Sequence, residues 1–231
     1  MSAEPAIMSF SGGKDSVYAL YRLQQTGGYS VHSLLTTVSC EFNRISMHGV
    51  RRELLLKQAA AIRFPLEILE LSTAPDNGEY VRVTNAAFAS WKDRGVGNVI
   101  FGDLFLCDLR RWREEQLAAI GMRGVFPIWR LDTRRVALDF IHAGFKAVLV
   151  CIDLEKLPPE FAGRDFDQSL LDALPPGVDP CGENGEFHTF VYDGPLFNRP
   201  VPIVHGETVT RGRFRYRDLF LYGEDSAGVK T

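Results

Sequence analysis

Two alternating patterns of hydrophobic and polar positions run through the first half of the chain. Short apolar runs, each long enough for a buried strand, occupy residues 6–10, 31–38, 65–71 and 99–101. The segments that follow them place apolar residues at helical spacing over residues 14–25, 48–62, 77–94 and 109–120. Strands that alternate with helices in this order predict an α/β fold, a parallel sheet with helices on both faces.

The pattern changes at about residue 124. A strand, a helix, a strand and a short helix are predicted in turn over residues 125–129, 132–143, 147–152 and 166–173. Two later segments alternate large and polar side chains with the period of two typical of strands, at residues 187–192 and 213–217. We therefore predict two parts, an α/β domain at residues 1–123 and a smaller, mixed α+β lobe at residues 124–231.

The most informative motif joins the first predicted strand to the first predicted helix, and it reads Ser11-Gly12-Gly13-Lys14-Asp15-Ser16. Backbone N–H groups at a glycine turn and at a helix start converge on one point, where the helix dipole also favours negative charge. Lys14 adds a positive charge and Ser11 and Ser16 add hydroxyl groups, so the six residues predict a phosphate site. The spacing differs from a Walker A loop, because an aspartate follows the lysine. The alternative is a plain strand-to-helix turn in which Asp15 or Ser16 caps the helix.

Other polar residues fall at the carboxyl ends of predicted strands, where ligands bind in open parallel sheets. Thr36 and Thr37 lie near the end of the second strand, and we expect the adenine and ribose of a nucleotide near the backbone of residues 36–39. Gly102 and Asp103 follow the fourth strand, at a position expected to face the α-phosphate or a second substrate. Asp15 and Asp103 are candidate Mg²⁺ ligands, because Mg²⁺ takes a few carboxylates together with phosphate oxygens. For Asp103, a helix cap or a turn is an equal alternative.

A second distinctive stretch, residues 179–197, reads Asp-Pro-Cys-Gly-Glu-Asn-Gly-Glu-Phe-His-Thr-Phe-Val-Tyr-Asp-Gly-Pro-Leu-Phe. Its glycines and glutamates predict a tight acidic turn before an aromatic strand, suited to an amine-bearing group or to the orientation of Mg²⁺. Glu186 and His188 are candidate general bases, since histidine titrates near neutral pH. The alternative is a solvated surface turn with His188 packed against its neighbours.

The loop at residues 11–16 resembles the PP-loop of the ATP pyrophosphatases, which cleave ATP between its α- and β-phosphates. Further motifs resemble, in order, those of the diphthine–ammonia ligase family, also described as adenine nucleotide α-hydrolase-like. They are Met47-His48-Gly49, Gln58-Ala59, Gly102-Asp103 with Arg110 and Glu114, Phe126-Pro127-Ile128-Trp129, Gly144-Phe145-Lys146-Ala147, Cys181-Gly182-Glu183 with Gly185-Glu186, and Asp193 with Pro195-Leu196-Phe197. The resemblance covers about residues 5–200.

This resemblance implies a Rossmann-like PP-loop domain of the HUP type that binds ATP and Mg²⁺, with a C-terminal lobe that supplies the substrate site. It implies an ATP-dependent amide-forming ligase that adenylates a carboxylate, releases AMP and pyrophosphate, and transfers the acyl group to ammonia or an amine. For this chemistry the candidate catalytic residues are Lys14, Asp15, Asp103, Glu186 and His188. The candidate substrate contacts are Arg110, Glu114, Gly182, Glu183, Gly185 and Glu186.

The acceptor is left open by two departures from the family pattern. The usual Gly-Glu-Gly-Gly-Glu run appears as Gly182-Glu183-Asn184-Gly185-Glu186, and Leu104-Phe105-Leu106-Cys107-Asp108 replaces a run that usually contains Ser and Gln. Both departures resemble a bacterial branch, and bacteria do not make the diphthamide that eukaryotic and archaeal members complete on elongation factor 2. The expected acceptor is therefore a small-molecule or protein-borne carboxylate.

Composition narrows the functional classes further. A net charge of −3 argues against a generally basic nucleic-acid binder. Four widely spaced cysteines without a Cys-x-x-Cys pair predict reduced thiols, and the chain shows neither a secretory leader nor a membrane-spanning run, so we expect a cytoplasmic protein. Two other functions remain as alternatives, a nucleotide-binding regulatory module without turnover and a sulfur-transferring PP-loop enzyme. A homo-oligomer is possible through the aromatic alternation at residues 213–222.

Overall fold

The computed structural model describes residues 3–45, 49–73 and 75–223. Met47 and His48, from the motif before the second predicted helix, lie outside these ranges. The first elements in chain order are β1 (Glu4–Ser9), α1 (Lys14–Thr26), β2 (Tyr29–Ser39), β3 (Arg44–Ile45), α2 (Arg52–Ala61), β4 (Leu66–Leu71), α3 (Asn77–Asp93), β5 (Asn98–Ile100), α4 (Cys107–Ala119) and β6 (Arg123–Val125). Helix α1 ends at Gly27, whose φ of 67° allows its N–H to bond the Leu23 carbonyl.

Strands β4, β2, β1, β5 and β6 form a parallel sheet in that order, which confirms the predicted α/β fold. The short strand β3, which the sequence pattern does not predict, pairs antiparallel with the end of β2. From β1 the chain first builds outward through β2 and β4, and then returns to the other side of β1 with β5 and β6. Strand order therefore reverses between β1 and β5, and a ligand crevice is expected above the carboxyl ends of these two strands.

Helices cover both faces of this sheet. Successive residues of β1 point to opposite sides, as the period of a strand requires. Ile7 belongs to a buried cluster with Phe88 of α3 and Leu117 of α4. Met8 belongs to a larger cluster with Leu20 of α1, which continues into the C-terminal lobe. The continuous core places the second lobe against the face that carries α1 and α2.

The C-terminal lobe is built on an antiparallel sheet in the order β8–β7–β10–β9, which confirms the predicted mixed lobe. Its elements are α5 (Thr133–His142), β7 (Lys146–Asp153), a 3₁₀ turn (Pro159–Phe161), α6 (Gln168–Ala173), β8 (Phe187–Asp193), β9 (Ile203–Arg211) and β10 (Phe214–Leu221). The strand predicted over residues 125–129 is wrong beyond Val125, where the chain turns and the Trp129 amide donates to the Phe126 carbonyl at 3.2 Å. Pro127, which has no N–H, cannot continue a strand ladder.

Two further observations concern the lobe's surface and the thiols. The alternating segment β10 pairs with β9 and β7 of the same chain, so its aromatic residues belong to an internal sheet.

Cys40 and Cys107 are exposed and Cys151 and Cys181 are buried, all as free thiols. Across residues 3–45, 49–73 and 75–223, no helix has the length and apolar character needed to cross a bilayer.

Candidate active site between the two lobes

The predicted phosphate loop lies at the carboxyl end of β1, beside the point where strand order reverses. Gly12 has a φ of 74°, in the left-handed region that favours glycine. A Cβ at this position would come within 2.6 Å of the Gln58 side-chain oxygen and 2.7 Å of Leu55. Glycine therefore lets helix α2 pack directly against the loop, and Gly13 follows as the N-cap of α1.

The hydroxyl groups of the loop hold its turn. The oxygens of Ser11 and Ser16 are 3.3 Å apart, and the Ser16 hydroxyl donates to the Gly13 carbonyl at 2.9 Å. The Gly13 amide donates to the Ser11 hydroxyl at 3.3 Å. The six residues of the motif thus form one compact turn that leads into the first turn of α1, whose N–H groups have no partners within the helix.

Strand β8 of the C-terminal lobe borders the loop. The Lys14 amide donates to the Thr189 hydroxyl, and the Val191 amide donates to the Gly12 carbonyl, each at 3.0 Å. The Gln58 side-chain amide donates to the carbonyls of Gly12 at 2.9 Å and Val191 at 2.6 Å. The loop is therefore tied to both lobes, and residues of both lobes form the site.

The Lys14 side chain is buried where the two lobes meet. Its amine lies 2.7 and 2.8 Å from the two carboxylate oxygens of Asp15 and also donates to the main-chain carbonyl of Cys181. The rings of Phe166 and Phe187 flank it, with centroids 5.8 and 5.7 Å away. Burial alone would lower the pKa of this amine, but Asp15 and the other negative groups around it raise the pKa overall. Lys14 is therefore a fixed positive charge in a largely dry site.

Two carboxyl groups, Asp15 and Glu183, compete for this positive charge. The Leu104 amide donates to a Glu183 carboxyl oxygen at 3.4 Å, which places Glu183 over the end of β5. Burial, together with the negative charge of Asp15, raises the pKa of Glu183 to about 7. Burial also raises the pKa of Asp15. The crevice therefore contains a carboxyl group that can exchange a proton near neutral pH.

The acidic turn that carries Glu183 is organised from within by two other carboxylates. The buried Glu186 accepts hydrogen bonds from the amides of Asp179 at 3.1 Å and Asn184 at 2.9 Å, and from the Asn184 side chain at 3.1 Å. The Asp179 carboxylate accepts from the Cys181 amide at 2.8 Å and the Glu183 amide at 3.3 Å. Although burial would raise the pKa of Glu186, the hydrogen bonds that Glu186 accepts from Asp179 and Asn184 lower this pKa overall. The contacts of Glu186 shape the turn, while Glu183 projects toward Lys14.

The two predicted glycines of this turn differ in their surroundings. Gly182 has a φ of 71°, and a Cβ there would lie 2.8 Å from the Phe187 carbonyl oxygen, so a side chain is excluded by both conformation and space. Gly185 has a φ of 79° but lies in open space, and its amide donates to the Gly182 carbonyl at 3.0 Å. The first glycine lets the turn pack closely on the start of β8.

Gly102 and Asp103 lie on the other side of the crevice. A Cβ on Gly102 would come within 2.8 to 2.9 Å of backbone atoms of Asp15 and Ser16, so this glycine lets β5 approach the start of α1. The Asp103 carboxylate pairs with Arg113 of α4 at 2.8 Å, with 14% of its side chain exposed. Burial raises the pKa of Asp103 although Arg113 opposes the shift. Asp103 thus has a counterion already, and within the described ranges no group of three or more His, Cys, Asp or Glu side chains is arranged to hold a metal.

The predicted substrate residues on α4, Arg110 and Glu114, face a separate depression. They form an ion pair of 2.8 Å one helical turn apart. The Arg110 guanidinium stacks on the rings of Phe126 and Trp129, at 4.5 and 4.6 Å from their centroids. Arg110, Glu114 and Trp129 border an open hollow of about 460 Å³. Arg110 and Glu114 therefore form part of a surface beside the crevice. Their contact with the substrate stays a prediction.

The remaining predicted residues lie at strand ends. Thr36 is buried and Thr37 is half-buried near the end of β2, one and two positions beyond the residue that pairs with Ser9 of β1. Their backbone is therefore next to the start of the loop, where a nucleotide base was expected. Burial and the charge of Lys14 lower the pKa of His188 to about 4, so the imidazole is neutral at physiological pH.

Sequence reasoning did not find three residues that shape the site. Thr189 accepts the hydrogen bond of the Lys14 amide, Asp179 holds the acidic turn, and Arg113 neutralises Asp103. Thr189 and Asp179 stand inside the quoted motif, so the motif was the available signal for them. Arg113 has no such signal, because one arginine on a charged helix resembles any solvated residue.

Comparisons with known proteins give two family-model matches and a similar solved structure. A family model described as the diphthamide synthase N-terminal domain matches residues 4–124, and a second, described as the diphthamide synthase C-terminal domain, matches residues 132–218. A solved structure of a predicted subunit of tRNA methyltransferase from Methanocaldococcus jannaschii aligns with a TM-score of 0.45 at 15% identity, covering 85% of this chain and 100% of that one.

Similar curated proteins share one description, diphthine–ammonia ligase. The protein from Danio rerio is 25% identical over 251 residues, an alignment that covers 96% of this chain and 97% of that protein. Those from Schizosaccharomyces pombe and Homo sapiens are 27% and 26% identical over 109 and 110 residues, 45% of this chain in each case and 18% and 41% of their own lengths. The N-terminal family model alone spans more than half of the sequence. The chain therefore belongs to the diphthamide synthase family, a family of ligases.

Proposed function

We propose that this protein is an ATP-dependent ligase that adenylates a carboxylate, releases pyrophosphate, and then transfers the acyl group from AMP to ammonia or an amine. The observation that carries the proposal is the meeting of the two motifs at Lys14. The amine of this residue contacts Asp15 of the loop and the Cys181 carbonyl of the acidic turn. A phosphate loop and an acidic turn that share one buried cation suit the joining of ATP to a second substrate.

The first step places negative charge on the leaving pyrophosphate. A carboxylate oxygen of the acceptor attacks the α-phosphorus, and the bond from that phosphorus to the oxygen that bridges the α- and β-phosphates breaks. The amides of the first turn of α1, the Lys14 amine and the Ser11 hydroxyl are the groups that stabilise this charge. Phosphate oxygens accept stronger hydrogen bonds from an ammonium group than a neutral carbonyl does, so we expect Lys14 to exchange Cys181 for ATP.

The second step needs a proton acceptor. The nitrogen of ammonia attacks the acyl carbon, AMP leaves as the carbon–oxygen bond breaks, and the nitrogen loses a proton. Glu183, whose pKa is raised to about 7, is poised to accept that proton at the crevice. His188 is neutral and lies next to Thr189 on β8, so it is the second candidate base. Glu186 accepts several hydrogen bonds inside the turn, and we assign it to the positioning of Glu183.

Mg²⁺ suits the donor set of this crevice. The ion is commonly held by one or two carboxylates together with phosphate oxygens, and Asp15 is a carboxylate beside the loop with 28% of its side chain exposed. Asp103 is the second candidate, and its pairing with Arg113 makes it the weaker one. When bound, Mg²⁺ would neutralise charge on the departing pyrophosphate. The free thiols agree with a reducing, cytoplasmic compartment.

The experiment is a product analysis with a matched pair of lysine variants. ATP is incubated with the protein, ammonium and a panel of small acids and translation-factor peptides, and AMP and pyrophosphate are measured. We expect both products from the parent, only when an acceptor is present, and none above background from Lys14→Ala. Lys57→Ala, which removes an exposed lysine of α2, should match the parent. Pyrophosphate release by Lys14→Ala at the parental rate would show the loop assignment to be wrong.

The same experiment tests the regulatory-module alternative. A module binds ATP without turnover, so bound ATP recovered intact with every acceptor would favour it. The acidic turn on the buried lysine is the reason to prefer the ligase, because nucleotide binding alone needs no second motif at the loop.

A further inference from the structure

A second cavity, of about 470 Å³, lies between the two sheets. Ser39 and Thr73 border it at the carboxyl ends of β2 and β4, and Val209, Arg211 and Tyr216 border it from the C-terminal lobe. Its size is in the range of sites that bind small organic molecules. Ser39 belongs to residues 36–39, the backbone stretch expected near the adenine and ribose of a nucleotide, and the other predicted site residues do not line this cavity.

The charges around the cavity favour an anion. Asp218 is the carboxylate that lines the cavity. The guanidinium nitrogens of Arg44 donate to its two oxygens at 2.8 and 3.0 Å, and those of Arg51 donate at 3.1 and 2.7 Å. The hydrogen bonds of Arg44 to Asp218, together with one of 2.7 Å to the Gly49 carbonyl, use three of the five N–H donors of its guanidinium. Arg211, an exposed residue, adds a further positive charge at the rim. Within the described lining, positive charge therefore exceeds negative charge.

Two residues that line the cavity, Ser39 and Arg217, each carry a buried polar atom without a hydrogen-bond partner among the described residues. Ser39 is 7% exposed, and its hydroxyl oxygen has no hydrogen-bond partner in the part of the chain that the structure describes. A buried hydroxyl without a partner destabilises a fold, so its presence beside a cavity indicates a ligand that completes it. The Ser39 hydroxyl is an observation independent of the charges of Arg44 and Arg211, and it points to the same space.

The rest of the wall is apolar. Ile45 lines the cavity, and Phe42 and Val209 are large apolar side chains that are 46% and 43% exposed. The Arg211 guanidinium lies 5.6 Å from the centroid of the Phe42 ring, so a positive charge and an apolar surface are adjacent in the wall. A ligand with an oxyanion group and an apolar body matches both parts of this wall.

We propose that this cavity binds a small organic anion, with its oxyanion group at Arg44, Arg211 and Ser39 and its apolar body against Phe42, Ile45 and Val209. We infer that this anion is part of the acceptor substrate, an assignment that rests on the proposed function. Helix α2 links the two places, because Arg51 holds Asp218 at the cavity and Gln58 contacts the phosphate loop. Seven residues of helix correspond to about 10 Å, so an extended acceptor can reach from the cavity to the loop.

The test measures binding of three probes in the absence of ATP. Phenylbutyrate carries a carboxylate, phenyl phosphate carries a phosphate, and phenylbutanol is a neutral counterpart. Calorimetry on the full chain should give binding of one or both anions, and the stronger one identifies the oxyanion. Phenylbutanol should bind more weakly by about tenfold, and Arg211→Gln and Ser39→Ala should each weaken anion binding about threefold or more. Arg134→Gln, at an exposed arginine of α5, is the control and should not change binding.

Ser39→Ala also separates a ligand role from a structural one. If the hydroxyl serves a ligand, its removal leaves the Tm of the free protein unchanged or higher while binding weakens. The absence of anion binding to the parent, equal binding of the neutral probe, or equal binding by Arg211→Gln would overturn the site. Displacement of the anion by ATP would overturn the acceptor assignment and make the cavity a nucleotide subsite. Failure of the ligase itself is seen separately, as an absence of AMP and pyrophosphate in the product analysis.

Discussion

Gly102→Ala adds a single methyl group at the point where the two halves of the parallel sheet meet the phosphate loop. In the structure a Cβ at this position would lie 2.8 Å from the Asp15 carbonyl carbon, 2.9 Å from its oxygen and 2.9 Å from the Ser16 nitrogen. All three contacts are with backbone atoms, so no side chain can rotate away. The first turn of α1 must move away from β5, or β5 must move away from the helix.

The expected cost follows from the geometry. Overpacking a well-packed site by one methyl group typically destabilises a protein by 1–3 kcal/mol, and a contact with rigid backbone places this variant at about 2 kcal/mol. For a chain of this size the Tm should fall by about 4–8 °C. Because the displaced atoms belong to the first turn of α1, binding of ATP should weaken beyond the loss of stability.

Gly97→Ala is the matched control. Gly97 lies just before β5, whereas Gly102 lies just after it. A Cβ on Gly97 would meet no atom within 4 Å. Urea unfolding and ATP calorimetry on both variants give the comparison. We expect Gly97→Ala to stay within about 0.5 kcal/mol of the parent. If the two alanine variants unfold alike, or if Gly102→Ala binds ATP as the parent does, the close packing of β5 on α1 is not what positions the loop.

Three further outcomes follow from single contacts. Because the pKa of Glu183 is raised from 4.5 to about 7, the native state retains a proton that the unfolded chain releases. The free energy of unfolding of the parent should therefore fall by up to about 3 kcal/mol as pH rises from 4.5 to about 7. Glu183→Gln should lack this loss in urea unfolding at pH 4.5 and 8, whereas Glu115→Gln, at an exposed carboxylate, should keep it. Asp218→Asn should destabilise the protein by about 2 kcal/mol, because two arginines at the lobe interface lose their carboxylate, while Asp108→Asn, at an exposed pair, should change little. Thr189→Val should cost about 1 kcal/mol by leaving a loop amide without its acceptor, and Thr189→Ser should restore it; equal unfolding of the valine and serine variants would contradict this role.

Local pattern was sufficient to predict most elements of the fold. The apolar run before Ser11 and the helical spacing after it predict β1 and α1, because each pattern reflects which side of its own element is buried. Gly27 ends α1 by its left-handed conformation, a role that glycine signals in sequence. The pattern failed at residues 126–129, where apolar residues form a turn, because aromatic residues that pack on one another resemble a strand in sequence.

Long-range contacts could not be predicted in the same way. The pairs Lys14–Cys181 and Arg44–Asp218 join residues 167 and 174 positions apart, and no periodicity indicates which distant loops will meet. Asp103 was expected to face a metal because it follows a strand, yet an arginine of the next helix occupies its carboxylate. Assignment to a bacterial branch and the oligomeric state stay predictions.

Under the proposed function, the shared lysine makes the acidic turn part of ATP chemistry and not only of acceptor binding. In the structure the three donors of the Lys14 amine contact two oxygens of Asp15 and the Cys181 carbonyl, so the amine binds a phosphate by giving up one of these contacts. The contact with the neutral carbonyl of the turn is the weakest of the three, so we expect it to be exchanged. The turn also carries Glu183, which competes with Asp15 for the same charge, and a ligand that binds Glu183 would alter that balance. Occupation of the acceptor site and release of the lysine are then coupled through a single segment, residues 179–186. From such coupling we expect little ATP hydrolysis without an acceptor, and the acceptor-free arm of the product analysis measures this quantity.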